Sequence, residues 1–137
     1  MQLKNKMVKP IFINKKINVF NKNINISGDK SLSIRWALLA SQAIGKSKAY
    51  NLLQSEDIYS TLSCLKKLGI KVKFKKNLCE IIGNGLNSYS FKKNLTLNAG
   101  NSGTLARLIL ALLIKSPFKI KITGDASLSK RDFSRVI

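Results

Sequence analysis

The sequence predicts an α/β chain of repeated β-α-β-α-β-β units whose helices pack inward. Three observations carry this. Strand-like and helix-like segments alternate in that order, and the order starts again near residue 95. The third helical segment, Leu105 to Ile114, is apolar on every side except at Arg107, which marks a buried rather than an amphipathic helix. The segments Ile70-Lys71-Val72-Lys73-Phe74-Lys75 and Phe118-Lys119-Ile120-Lys121-Ile122 alternate apolar residues with lysine, giving strands with one buried and one wet face.

Taken in order, residues 1–23 read as a lysine-rich arm and residues 24–137 as a partial domain. Ile17 to Phe20 and Ile24 to Ile26 read as short strands, and Gly28-Asp29 breaks the pattern. A helix follows from Ser31 to Ala43, stopped at Gly45 by a glycine that tolerates left-handed backbone. Ala49 to Leu53 reads as a strand. Ser55 caps the next helix, with Glu56 and Asp57 in its positive first turn, and Ile58, Leu62 and Leu65 form its apolar stripe before Gly69. Ile70 to Phe74 and Leu78 to Ile82 are paired strands, and Gly83-Asn84-Gly85 is a turn. The strand Leu95 to Leu97, the helix Leu105 to Ile114 and the strand Phe118 to Thr123 begin a second unit. A last helix is expected from about Lys130.

Composition sets the outer limits. At 137 residues the chain suits one domain, and its 25 basic against 6 acidic side chains give a net charge of +19. That charge raises the possibility of a nucleic-acid partner. Yet lysine occurs 21 times and arginine four times, whereas base readers favour the arginine fork. Lysine, asparagine and isoleucine share A/T-rich codons, so the charge is first a matter of composition, spread over wet strand faces. No run approaches the roughly 20 apolar residues that span a bilayer, and no apolar stretch follows Lys4, Lys6 and Lys9 as in a signal peptide. A cytoplasmic chain with neither membrane nor nucleic-acid partner is expected. Without histidine, neither imidazole catalysis nor a Cys/His metal site can form within the chain, and Cys64 and Cys79 read as packing residues.

Chemistry concentrates where helices start. Free N–H groups and the positive dipole end make helix N-termini natural anion sites. Three such loops occur: Gly28-Asp29-Lys30-Ser31-Leu32-Ser33-Ile34-Arg35, Gly100-Asn101-Ser102-Gly103-Thr104, and Gly124-Asp125-Ala126-Ser127-Leu128-Ser129-Lys130-Arg131. Ser31 and Arg35 share a helix face, with Lys30 at the helix start, so hydroxyl, guanidinium and ammonium can converge on a phosphate or carboxylate. The first and third loops echo one another at an offset of 96 residues, with Gly, Asp, Ser, Leu, Ser and Arg repeated, which suggests a duplicated unit. Three of the four arginines, Arg35, Arg107 and Arg131, lie in or just after these loops. Singly, each loop is also an ordinary capping turn, and Asp29 and Asp125 read as turn stabilisers rather than acids. None is a Walker motif.

In this order, and with Asn51-Leu52-Leu53, Asp57, Thr61 and Arg107-Leu108 between them, the loops resemble the 5-enolpyruvylshikimate-3-phosphate synthase family from about Ile24 to Ile137. The resemblance implies an inside-out fold of β-α-β-α-β-β units, here only part of the first domain. It also implies transfer of the enolpyruvyl group of phosphoenolpyruvate to the 5-hydroxyl of shikimate 3-phosphate, releasing phosphate, with no metal or organic cofactor. Lys30, Ser31 and Arg35 match positions that hold shikimate 3-phosphate. Lys30, Gly103 and Arg131 match positions that face phosphoenolpyruvate.

Two positions depart from the family pattern: Ile34 stands where histidine is common, and Asp132 where proline follows the arginine. Family enzymes are several times longer, and their acid/base carboxylates lie in a second domain, so no catalytic acid or base is carried over to this chain. The expectation is an N-terminal fragment that is inactive alone. The related UDP-N-acetylglucosamine enolpyruvyl transferases are disfavoured by Ser31, where they have asparagine. The other readings are a basic nucleic-acid module and a non-catalytic remnant that pairs with a separately encoded second half.

Overall fold

In the computed structural model the described residues are 12–14, 19, 21–134 and 136. The first helix, α1 (Lys30–Gln42), starts where the Asp29 carboxylate accepts the Leu32 amide at 2.7 Å. Its inward face buries Ile34, Ala37, Leu38 and Ala40. The second helix, α2 (Glu56–Lys67), buries Ile58, Leu62 and Leu65 as its spacing requires, and ends at Gly69 with φ +86°. Ser55 flanks α2 at its start, but its hydroxyl makes no cap hydrogen bond. The negative Glu56 and Asp57 in the first turn still complement the helix dipole.

Three antiparallel strands cover these helices in the order β1 (Ile44–Tyr50), β3 (Leu78–Asn84), β2 (Lys71–Lys75). The register runs from Ile44 opposite Asn84 to Tyr50 opposite Leu78, and from Lys71 opposite Ile82 to Lys75 opposite Leu78. Cys79 and Ile81 therefore point inward, while Lys46, Lys48, Lys71 and Lys73 flank Glu80 and Ile82 on the wet face. The lysine alternation is a solvated sheet face, with Lys48 and Glu80 paired at 3.5 Å.

The second unit is a parallel pair, β4 (Leu95–Asn98) and β5 (Ile120–Thr123), joined across α3 (Gly103–Leu113). Leu97, Leu105 and Ile109 continue the core begun by Ile34, Ile58, Leu65, Leu68 and Ile81. No helix among the described residues is long and apolar enough to cross a membrane. Both cysteines are buried and unpaired. Burial pushes the Cys64 thiol up, and burial with the Glu80 charge pushes Cys79 up to about 11, so both stay protonated at neutral pH.

Several elements differ from the sequence reading. The first strand lies at Ile44–Tyr50 rather than Ala49 to Leu53. Pairing with β3 recruits the weakly β-forming Gly45-Lys46-Ser47-Lys48, and Asn51, at φ 58°, turns the chain away. Gly83 and Asn84 belong to β3 rather than to a turn, and the turn falls at Gly85, at φ +94°. Ile24 to Ile26 is no strand; both isoleucines are exposed, with no sheet face to cover. Of Ile17 to Phe20, only Val19 lies among the described residues. The α3 helix is buried on one face only: Ala111 and Ile114 are exposed, and Leu108 and Leu112 are half-buried beside Leu38 and Leu39 of α1.

The helix expected from Lys130 is instead a single 3-10 turn, Leu128–Lys130, after which Arg131 is extended. Asp132 explains the stop. Its carboxylate accepts the Ser134 amide at 2.8 Å and the Ser134 hydroxyl at 2.7 Å, a local turn that competes with helix propagation.

Truncation at the core and at the surface should therefore differ sharply. Ile34 is fully buried, so Ile34→Ala should cost about 2–5 kcal/mol. Leu39 is 70% exposed, so Leu39→Ala should stay within about 0.5 kcal/mol. Urea unfolding of both variants checks this; equal costs would contradict the packing described.

Candidate functional site

The first loop is set by a close backbone approach. A Cβ on Gly28 would collide with the Asn51 carbonyl and the Leu53 amide, so glycine alone fits against this segment. The Asn51 side chain donates to the Ile26 carbonyl at 3.1 Å, and the Leu53 amide donates to the Ser33 hydroxyl at 3.2 Å. These contacts hold Lys30 at the start of α1, with Ser31 half-buried next to it. The Lys30 ammonium meets the Asp57 carboxylate of α2 at 3.0 Å. Asp57 thus does more than complement a helix dipole: it orients Lys30. Arg35 lies a turn further along α1, at the groove between α1 and α3 formed by Leu38, Leu39, Leu108 and Leu112.

The second and third loops are zipped together. The Ala99 amide donates to the Thr123 carbonyl at 2.8 Å and the Asp125 amide to the Gly100 carbonyl at 2.9 Å. A Cβ on Gly124 would stand 2.7 Å from that same Gly100 carbonyl. Gly100 also lies against α2, where an added Cβ would come 2.9 Å from the Ser60 hydroxyl. One helix, α2, therefore touches the first loop through Asp57 and the second through Ser60.

The repeated Gly-Asp loops are the same device twice. Asp29 accepts the Leu32 amide and Asp125 the Leu128 amide, each at 2.7 Å. Ser33 and Ser129 each send amide and hydroxyl to the carbonyl of that aspartate. Both aspartates stabilise their turns, as the sequence reading expects, and Asp29 is also the N-cap of α1.

Arg131 and Gly103 are brought together directly. The Asp125 carboxylate accepts from the Asn101 amide group at 2.6 Å, and the Asn101 carbonyl oxygen accepts from Arg131 Nη2 at 2.6 Å. This relay lays Arg131 Nη1 over Gly103, 2.7 Å from where a Cβ would stand, with Arg107 Nη1 at 3.0 Å from the same point. Ser102 caps α3 by accepting the Leu105 amide at 3.2 Å. The Gly103 and Thr104 N–H groups, in the first turn, have no partner within the helix. The arrangement offers a cationic, donor-rich surface that suits an anion.

Both departures from the family pattern are harmless to this geometry. Ile34 is fully buried in the core, away from the loop surface. The Asp132 carboxylate turns to Ser134 rather than to Arg131. Asn101 and Asp57 were not singled out as site residues by sequence. The signal for Asn101 is its place in a small-residue loop, and for Asp57 its place in the first turn of α2.

Comparison with known proteins gives first the class of fold and then the family. Two solved structures of EPSP synthase from Acinetobacter baumannii match with a TM-score of 0.75 and 34% identity over 82% of this chain, and 26% and 25% of theirs. A family model described as EPSP synthase (3-phosphoshikimate 1-carboxyvinyltransferase) matches residues 14–137. The 3-phosphoshikimate 1-carboxyvinyltransferases of Streptococcus pyogenes serotype M49 (strain NZ131) and serotype M3 (strain SSI-1) are 40% identical over 114 residues, 83% of this chain. The chain belongs to the EPSP synthase family, and it spans 26% of the length of those curated relatives.

The third loop should respond to acid with a defined sign. Hydrogen bonds from the Leu128 amide and from Asn101 hold the Asp125 carboxyl below its ordinary value. Its contribution is therefore complete above the usual carboxylate pKa of about 3.9 and lost as pH falls through the lower folded value. Amide exchange at Leu128 and Ser129, corrected for intrinsic rates, should stay flat from neutral pH to about pH 4 and rise only below it. Loosening near pH 6 would contradict the assignment.

Proposed function

We propose that this chain supplies the first-domain binding loops of an enzyme that transfers enolpyruvyl from phosphoenolpyruvate to the 5-hydroxyl of shikimate 3-phosphate, with release of phosphate. In this reading the protein is cytoplasmic and serves the shikimate route to chorismate and the aromatic amino acids. Family membership supports the reaction class. The observation that carries the reading to particular residues is the placing of Arg131 over Gly103 by the Asp125–Asn101 relay.

Lys30, Ser31 and Arg35 hold shikimate 3-phosphate, and Lys30, Gly103 and Arg131 hold phosphoenolpyruvate. Each substrate is a multiply charged anion. Ammonium, guanidinium and first-turn N–H groups are the donors such anions require, and the contacts with Asp57 and Asn101 orient Lys30 and Arg131 before binding. The bare Gly103 Cα leaves room for the guanidinium ends to lie against the helix start, where they can meet a ligand oxygen. The chain's role is binding and orientation. The acid/base groups of the reaction belong to the part of the family enzyme that this chain does not span, and the 137 residues are proposed to bind substrate without turning it over.

Two substitutions test the assignment. Gly103→Ala would displace the ends of two flexible arginines rather than backbone, so the thermal midpoint should hold or rise, since alanine also favours helix. Phosphoenolpyruvate affinity should nevertheless drop by about tenfold, the effect of roughly one lost charged hydrogen bond. Arg35→Ala should weaken shikimate 3-phosphate binding by a similar or larger factor. Calorimetric titration of the 137-residue chain reads both. Unchanged affinities in folded variants would contradict the assignment, as would turnover by the chain alone.

A further inference from the structure

Arg107 and Arg131 are arranged alike. Each spends Nη2 on a neutral anchor: Arg131 on the Asn101 side-chain carbonyl at 2.6 Å, Arg107 on the Asp132 main-chain carbonyl at 3.0 Å. Each holds Nη1 over Gly103, 2.7 and 3.0 Å from the position of an added Cβ, so the two cations crowd one point. The Phe133 ring carries the Arg107 guanidinium at 5.1 Å and fixes its plane.

Holding two like charges together costs repulsion that a bound anion relieves. Among the described residues no carboxylate forms an ion pair with either arginine, and the Asp125 and Asp132 charges, felt by Arg131 and Arg107, offset only part of that repulsion. The ion pairs among the described residues are Lys30–Asp57 and Lys48–Glu80, and neither involves these arginines. The two nearest acids are turned elsewhere: Asp125 accepts from Leu128 and Asn101, and Asp132 accepts from Ser134. A lysine-rich chain with four arginines has placed two of them at this one spot. Two planar forks can each give an N–H to a different oxygen of one phosphate or carboxylate, which a pair of ammonium groups does less selectively.

We infer that Arg107 is a second guanidinium contact for the phosphoenolpyruvate held at Gly103 and Arg131. This rests on the proposed reading of that site. Arg107 is more than an anchor for the segment after Arg131: its Nη2 anchors that segment, and its Nη1 meets the ligand.

The test uses the 137-residue chain with phosphoenolpyruvate as the probe, read by side-chain Nε resonances of Arg107 and Arg131 and by titration calorimetry. Both resonances should shift on binding. Arg107→Met keeps the aliphatic stem and removes the fork, and should weaken binding by about tenfold while the Arg131 resonance stays in place. Phe133→Leu, which removes the ring but not the guanidinium, should weaken it by less than threefold. Should Arg107→Met unfold, Arg107→Lys retains a cation, and its affinity should fall between that of the unchanged chain and that of Arg131→Met. The inference is overturned if Arg107 fails to shift while Arg131 does. It is also overturned if the Met variant binds as tightly as the unchanged chain. If the unchanged chain binds no phosphoenolpyruvate and neither resonance moves, the reading of the site falls and this inference with it.

Discussion

The joining of the second and third loops depends on one main-chain hydrogen bond, from the Asp125 amide to the Gly100 carbonyl at 2.9 Å. It ties the loop before α3 to the loop after β5 at the open end of the parallel pair. Asn101 can then bridge Asp125 to Arg131, and Arg131 can lie over Gly103. The Ala99 amide on the Thr123 carbonyl at 2.8 Å and Arg107 on the Asp132 carbonyl at 3.0 Å brace the same junction from either side. Gly124 lets its backbone approach the Gly100 carbonyl, Gly100 lets α2 approach through Ser60, and Gly103 leaves room for the ends of Arg131 and Arg107.

The same physics accounts for the first loop. There Gly28 packs against Asn51 and Leu53, Asp29 caps α1, and Asp57 holds Lys30. Helix α2 links the two halves, since it carries both Asp57 and Ser60. The large positive charge thereby separates into two populations. Lysines such as Lys46, Lys71 and Lys73 sit on a wet sheet face and follow composition. Lys30 and Arg131, by contrast, are fixed by specific partners, and the functional reading uses both together with Arg35.

Much of this was legible in the sequence. Alternating Lys71 to Lys75 announced a half-wet strand, the stripe of Ile58, Leu62 and Leu65 announced α2, and the Gly-Asp echo announced two matching turns. What escaped has a physical reason in each case. Strand β1 is imposed by pairing with β3 rather than by the propensity of Gly45 to Lys48. The final helix failed because Asp132 closes a local turn on Ser134, a side-chain effect that periodicity does not register. The half-exposure of α3 depends on what surrounds it, and its apolar sequence could show only that it prefers burial. The relay through Asn101 joins residues 24 and 30 positions apart, which no local pattern reveals.

The central claim is that bound anions sit at the starts of α1 and α3 and not on the lysine-rich sheet. The most direct measurement is a hydrogen-exchange footprint of the chain, with and without shikimate 3-phosphate and phosphoenolpyruvate together. The account predicts new protection at residues 28–33 and 100–105, with β2 and β3 unchanged. Protection confined to the β1-β3-β2 face, or none at either helix start, would contradict it.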